Sequence, residues 1–250
     1  MLQTLLNHRS IRKFKEDPID QQILNEILTA ATRASTTGNM QVYSIVVTRE
    51  QEIKDKLWDV HFKQNMVKQA PVVLTFCADF NRFNIWCRKR KADPGYDNFL
   101  SFFTAAIDAL LASQNCAIAA EAYGLGICYL GTTTYNADKI IEIMDLPEGV
   151  VPVTTLVMGY PQELPELTDR LPLSAVVHYE KYKNYTGDDI DRLYAEKESL
   201  PLTAKLLVEN NLETLAQIFT QKRYTKKDNL TFTRKYLDVL LKQSFMNNEQ

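Results

Sequence analysis

Glycine is scarce in this chain. Only 8 of its 250 residues are glycine, less than half the roughly 7% usual in soluble proteins, so bare backbone has few places to wrap a phosphate. Histidine is scarcer still: His8, His61 and His178 never fall at metal-ligand spacing, and no metal is expected. The four cysteines, Cys77, Cys87, Cys116 and Cys128, are widely separated with no CxxC. They suit buried free thiols better than a disulfide framework or a zinc site. Neither sign of charge is in excess, since 29 Lys and Arg stand against 31 Asp and Glu for a net −2. That excludes the basic footprint of a nucleic-acid binder. No run approaches about eighteen consecutive apolar residues, and the start MLQTLLNHRSIRKF lacks a long apolar stretch with a cleavage site. No membrane span is expected, and the expected location is the cytoplasm. A G-x-S-x-G motif, a Walker loop and a paired-carboxylate motif are all missing, so hydrolase and kinase chemistry have no carrier.

What is present is ordinary globular material, 45% hydrophobic and 24% charged, with length enough for a real core in one or two domains. An extended start leads to Asp17-Pro18-Ile19-Asp20, where Asp20 can cap a helix. Ile23, Leu24, Ile27, Leu28 and Ala31 then recur at helical spacing, which predicts a helix over about 21–34. VYSIVVT (42–48), VVLTFCAD after Pro71, ICYL (127–130) and VVPVTTLVMG (150–159) read as strands. Helices are predicted over about 50–69, 100–123 and 137–145, with a polar segment at 79–99. In the longest helix Phe103, Ile107, Leu110, Leu111, Gln114 and Ile118 lie near one face, and its many alanines would let another helix approach closely. After Tyr160 three prolines punctuate an irregular segment. From about 188 the chain turns polar and helical, with amphipathic stretches at 203–220 and 231–245. The order of elements implies a layered α/β or α+β fold with a central sheet covered on both faces.

Four constellations bear on chemistry. In His8-Arg9-Ser10-Ile11-Arg12 a helical turn would set both guanidinium groups on one side with the Ser10 hydroxyl, a phosphate clamp; a solvated basic patch is the plainer reading. The loop Ser35-Thr36-Thr37-Gly38-Asn39-Met40-Gln41 is dense in short donors and acceptors that could read a planar heterocycle, though Ser, Thr and Asn favour turns anyway. Gly124, Gly126 and Gly131 fall within eight residues, but they follow a helix and precede a strand, which is the reverse of a dinucleotide fingerprint. Gly124 and Gly126 suit a helix cap and turn, leaving Gly131 as the better binding candidate. Arg170 stands in the loop Thr168-Asp169-Arg170-Leu171-Pro172. The basic run Arg88 to Lys91 reads as solvated, with a nicotinamide 2′-phosphate site as the sharper alternative.

HRSIRKF, STTGNMQ, KQAPVVLTFCAD, AEAYGLGICYLG and VTTLVMGYP, taken in this order, resemble the FMN-dependent nitroreductase family. ELTDRLPLSAVVH and the helical tail resemble its longer branch, the NADPH-dependent oxygen-insensitive nitroreductases and flavin reductases. The resemblance implies a three-layer α+β fold (α-β-α) with a central mixed sheet and a helical C-terminal extension. Residues 1–180 would form the FMN-binding domain, and 181–250 the extension packed on it. It implies a homodimer with two FMN at the interface and a sheet edge completed by exchanged chain. His8, Arg9, Ser10 and Arg12 would hold the phosphate and ribityl chain, and Arg170 would add a second phosphate contact. Thr36, Thr37 and Asn39 would lie at the flavin, with Gln64 at its pyrimidine edge and Tyr129, Leu130 and Gly131 behind the ring.

Two departures stand out. Thr168 replaces a lysine common in that branch, so one phosphate charge is missing unless Lys181 or another cation supplies it, and Thr132 replaces a glycine and could narrow the pocket above the ring. The activity implied is hydride transfer from NADPH or NADH through flavin N5 to nitroaromatics, quinones or flavins, by ping-pong kinetics and with no catalytic side chain. The departures would instead favour an FMN-binding or flavin-storage protein without turnover. A helical-tailed interaction protein without flavin is the remaining reading.

Overall fold

The structure, a computed structural model, describes residues 2–247. The four strands form where β-branched and apolar residues were concentrated: β1 (Tyr43–Thr48), β2 (Val72–Asp79), β3 (Gly126–Leu130) and β4 (Val150–Gly159). Their order in the sheet is β1-β2-β4-β3. β2 lies between β1 and β4, and every one of its residues is buried, which is why its sequence runs apolar rather than alternating. Facing Cys77 is Pro152, and facing Phe76 is Thr154, so Val153 is skipped; the bulge falls beside a proline that has no N–H for the ladder.

Helices cover both faces. Against one face pack α2 (Gln21–Ala31) and the long α6 (Phe99–Ala122), closing a core of Leu24, Ile27, Leu74, Phe76, Ile127 and Leu156 with the small residues Ala109, Ala112, Cys116 and Ala120. Asp20 caps α2 by accepting from the amides of Gln22 and Ile23. Against the other face lie α3 (Gln51–Val60), α4 (Met66–Gln69) and α7 (Ala137–Ile143), through Leu57, Val67 and Ile140 with Val73, Val157 and Leu130. The three-layer α+β architecture is therefore the expected one, but the sheet is not mixed within this chain. All its strand pairs are antiparallel, and the parallel pairing found among the described residues is the isolated bridge from Ser10 to Ile127. A parallel strand on the free edge of β3 would need more chain alongside it than Ser10 supplies.

Other differences have local causes. The start is not wholly extended, because a short α1 (Leu2–Leu6) precedes the extended segment. The polar segment 79–99 contains α5 (Asn81–Lys89), in which Cys87 alone is buried. α6 buries its small residues and leaves Phe103, Ile107, Leu110 and Leu111 exposed, the reverse of a helix that packs through its bulkiest stripe. By length and composition α6 could cross a membrane, yet half of its most apolar window is buried in this core.

The chain divides into two compact units, Met1–Glu166 with Phe232–Gln250, and Leu167–Thr231. The boundary expected at 180 falls inside the second unit. Val239, Leu240 and Phe245 bury with Phe80, Phe102 and Val151, so the chain's end belongs to the sheet-containing unit. Positions 248–250 of the expected extension lie outside the described residues. The second unit holds α8 (Gly187–Ser199), α9 (Pro201–Asn210), α10 (Leu215–Ile218) and the first turns of α11 (Lys226–Lys242). The single stretch expected over 203–220 is broken: Asn211 ends α9 in the left-handed conformation, and Thr214 with Gln217 starts α10 by a reciprocal cap.

Candidate functional site

The segment 8–12 lies along the edge of β3. Ile11 donates its amide to the Ile127 carbonyl at 2.8 Å, and Ser10 is bridged to Ile127. Gly126 makes this approach possible, because a Cβ there would come within 2.5 Å of the Ile11 side chain. Since the segment is extended, alternate residues face opposite ways. Arg9 and Ile11 line a cleft of about 490 Å³ with Asn7, Glu121 and Pro161, while Ser10 hydrogen-bonds the Cys128 thiol and Arg12 is near enough for its charge to act on that thiol. The helical clamp with both guanidinium groups on one side is thus corrected. Arg9 donates through Nη1 to the Pro165 carbonyl at 2.9 Å and through Nε to the Asn7 carbonyl, and the exposed Arg12 is the cation on the Ser10 side. His8 is tied through Nδ1 to Glu121 Oε1 at 2.7 Å.

β3 commits its side chains to the core in alternation. Tyr129 packs with the α2–α6 core and donates its hydroxyl to Ser113 Oγ at 3.2 Å, and Leu130 is buried in the opposite core. Burial pushes the Tyr129 phenol up to about 12. Only backbone is left to meet a ligand at 129–130. Beyond it Gly131 is exposed, with open space where a Cβ would stand. Gln64 reaches the same strand end, donating Nε2 to Thr132 Oγ1 at 3.3 Å and to the His61 carbonyl at 3.0 Å. Thr132 also bonds His61 Nδ1 at 2.8 Å. Its hydroxyl is taken up by this network, a role the expectation of a narrowed pocket did not include. His61 is completely buried, and burial holds its imidazole down to about 4.

The loop carrying Thr36, Thr37 and Asn39 is held elsewhere on α6. Asp108, buried in the middle of that helix, accepts from the amides of Thr37 at 2.9 Å and Val42 at 3.3 Å. Gly38, Asn39 and Gln41 all take positive φ between these two anchors, a shape that Gly and Asn tolerate best. Asp108 and Glu121 are thirteen positions apart, so α6 holds this loop and His8 at points about 20 Å apart along its axis. The structure brings Ser10, Arg12, Gln64 and Gly131 to one strand, and it anchors Thr36, Thr37 and Asn39 separately.

Arg170 belongs to the second unit, where it is exposed. Its Nη1 donates to Thr168 Oγ1 at 2.7 Å and to the Asp169 carbonyl at 2.9 Å, so Thr168 steadies the guanidinium. Lys197 pairs with Asp169 at 2.6 Å beside this guanidinium. Arg88 and Lys89 close α5, where cations suit the helix end, and all four residues of that basic run are exposed. No group of three metal-ligating side chains occurs among the described residues.

Asp108, Glu121 and His61 were not singled out from the sequence as parts of the site. Asp108 had a signal, a carboxylate in an otherwise apolar stretch of helix. His61 had none beyond its spacing of three from Gln64.

Comparison with known proteins points to one family. Residues 5–160 match the model of the nitroreductase family. The chain is 35% identical over 189 residues to an FMN reductase (NADPH) of Bacillus subtilis, covering 75% of this chain and 76% of that one. A crystal structure of a Bacteroides fragilis protein superposes with a TM-score of 0.97 at 53% identity, over 98% of this chain and 100% of that chain. The NfrA1 nitroreductase of B. subtilis superposes with a TM-score of 0.86 at 29% identity, over 98% of each chain.

Proposed function

The chain belongs to the nitroreductase family, and from that premise we propose that it binds FMN along β3 and uses NADPH or NADH to reduce small planar oxidants. It is an NAD(P)H-dependent oxidoreductase. The observation that carries the flavin reading is the seating of 8–12 on the edge of β3. It sets Ser10 and Arg12 on one side of a strand whose far end opens at Gly131 beside Gln64. Those residues fit the group: a cation and a hydroxyl for a phosphate, an amide for a heterocycle edge, and room for a ring at a glycine that no neighbour crowds. Bound FMN would supply two-electron redox chemistry between a nicotinamide donor and an oxidised acceptor, for which ping-pong kinetics are expected.

This chain's own groups do the positioning. Arg12 supplies charge to the phosphate, with Ser10 as a hydroxyl donor, while His8 is oriented by Glu121 and Arg9 by the Pro165 carbonyl. Tyr129 and Leu130 anchor the strand so that its backbone is presented at fixed height. Thr36, Thr37 and Asn39 serve a flavin in the assembled homodimer. The dimer is supported by the exposed face of Phe103, Ile107, Leu110 and Leu111 on α6, bulky residues at helical spacing with no cover in one chain. No side chain is assigned a proton-transfer role.

Purified protein should be yellow, should release a fluorescent flavin on denaturation, and should bleach with NADPH or NADH without oxygen. Colourless protein that takes up no FMN rejects the reading. Yellow protein that neither nicotinamide bleaches is a flavin-storage protein instead. Rates with NADPH and NADH against nitrofurazone, a quinone and FMN identify the acceptor class. Replacing Arg88 and Arg90 by Ala should leave the KM for NADPH and for NADH equally unaffected; a rise for NADPH alone would make that run a 2′-phosphate site.

A further inference from the structure

We propose that Thr132 and His61 are positioning residues that lock Gln64 as a hydrogen-bond acceptor, so that the site selects a planar ring presenting an N–H. This rests on the flavin reading above and deepens it.

A glutamine amide has two protons to give and one carbonyl to receive with. Both protons of Gln64 are spent inside the protein, one on the His61 carbonyl at 3.0 Å and one on Thr132 Oγ1 at 3.3 Å. The opposite orientation of the amide would set Oε1 against the His61 carbonyl, two acceptors with no proton between them. The main chain of His61 therefore fixes which way the amide points.

Thr132 can accept from Gln64 because its own proton has somewhere to go. Nδ1 of His61 lies 2.8 Å from Thr132 Oγ1. The ring is completely buried, and burial keeps it neutral through the physiological range, so Nδ1 is free to accept. The chain of bonds runs from a buried imidazole through a hydroxyl to the amide, with the ring's own proton on Nε2, an atom that has no hydrogen-bond partner among the described residues.

What remains is Oε1 of Gln64. It accepts from nothing among the described residues, and Gly131 leaves open space one position before Thr132. The ligand class this fits is a heterocyclic imide, an N–H flanked by carbonyls, such as the pyrimidine edge of a flavin. A ring with a bare acceptor or a methyl at that place is refused, since Gln64 cannot turn to donate. Thr132 thereby has a purpose that a glycine at this position could not serve.

The test is flavin-fluorescence quenching by the full-length, flavin-stripped protein, titrated with FMN and with FMN methylated at the imide nitrogen. Wild type should prefer FMN by about tenfold, the scale of one well-made hydrogen bond in a partly dry site. Thr132→Val, nearly the same shape without the hydroxyl, should lower FMN affinity several-fold and shrink the preference to within about twofold. Thr132→Ser should restore both. Unchanged preference in Thr132→Val, or no recovery in Thr132→Ser, overturns the lock. Wild type that binds both flavins equally overturns the acceptor role and leaves the flavin reading standing, whereas wild type that quenches neither overturns both. Matching circular dichroism of the variants separates loss of the lock from loss of the fold.

Discussion

Every residue of β2 is buried, whereas between Leu167 and Thr231 only Leu193, Thr203, Leu215 and Ile218 are. The sheet-containing unit holds its shape by packing large apolar side chains on both faces of a sheet. The second unit holds its shape largely by local devices: the reciprocal caps of Thr186 with Asp189 and Thr214 with Gln217, and the ion pair Asp189–Arg192. Packing is cooperative over long range, while a cap or a surface pair acts within a turn and contributes about 1 kcal/mol or less. The groups around β3 thus sit on the rigid frame, and Arg170 sits on the softer one. A unit with few buried contacts opens locally at low cost.

The sharpest way to break this comparison is Phe76→Ala at the centre of β2, where the side chain is completely buried. It should cost about 3–5 kcal/mol in urea unfolding. A loss near 1 kcal/mol would put the two units on the same footing.

A pH series probes the same frame through His61. Its imidazole titrates near 6.5 when unfolded and is held down to about 4 when folded, so the unfolded chain takes up the proton first as pH falls. The contribution is complete above about pH 6.5 and is lost on the way down to about pH 4, a total on the order of 3 kcal/mol. Urea midpoints at pH 7 and pH 4 should show this drop in wild type and a smaller one in His61→Leu.

Gly126→Ala comes next, since its Cβ would meet Ile11 at 2.5 Å. A cost of about 1–3 kcal/mol is expected, with weaker FMN uptake because segment 8–12 is pushed off β3. Normal uptake would show that this seating is not what holds the flavin.

The smallest effect should come from Thr186→Ala, which removes the cap of α8 for about 1 kcal/mol. Hydrogen exchange should quicken in α8 and stay unchanged in β2. Equal quickening in both would mean that the units unfold as one.

Much of this could be read in the sequence. VVLTFCAD and VVPVTTLVMG come out as β2 and β4 because an apolar, β-branched run bounded by turns has few alternatives. Asp20 caps α2 as its type and place require. The family resemblance also singled out Gln64, Gly131 and Arg12. Hidden from the sequence were α5, whose polar residues leave only Cys87 buried, and the break at Asn211, which depends on one left-handed residue. The inside of α6 was hidden too. Helical spacing marks a stripe of large residues and a stripe of small ones, but it does not say which meets the sheet.

The sequence by itself determined the strands and most of the helices, the absence of basic footprints and phosphate loops, and the family, since these depend on residue type and on neighbours a few positions away. Tertiary structure alone decided which residues meet: Ser10 beside Cys128, Thr37 on Asp108, Thr132 between His61 and Gln64. Hydrogen bonds and burial act across space between positions as far as 156 residues apart in the chain. Local periodicity carries no record of such encounters. Scarce glycine left the phosphate to side chains; the fold chose which of them stand beside β3.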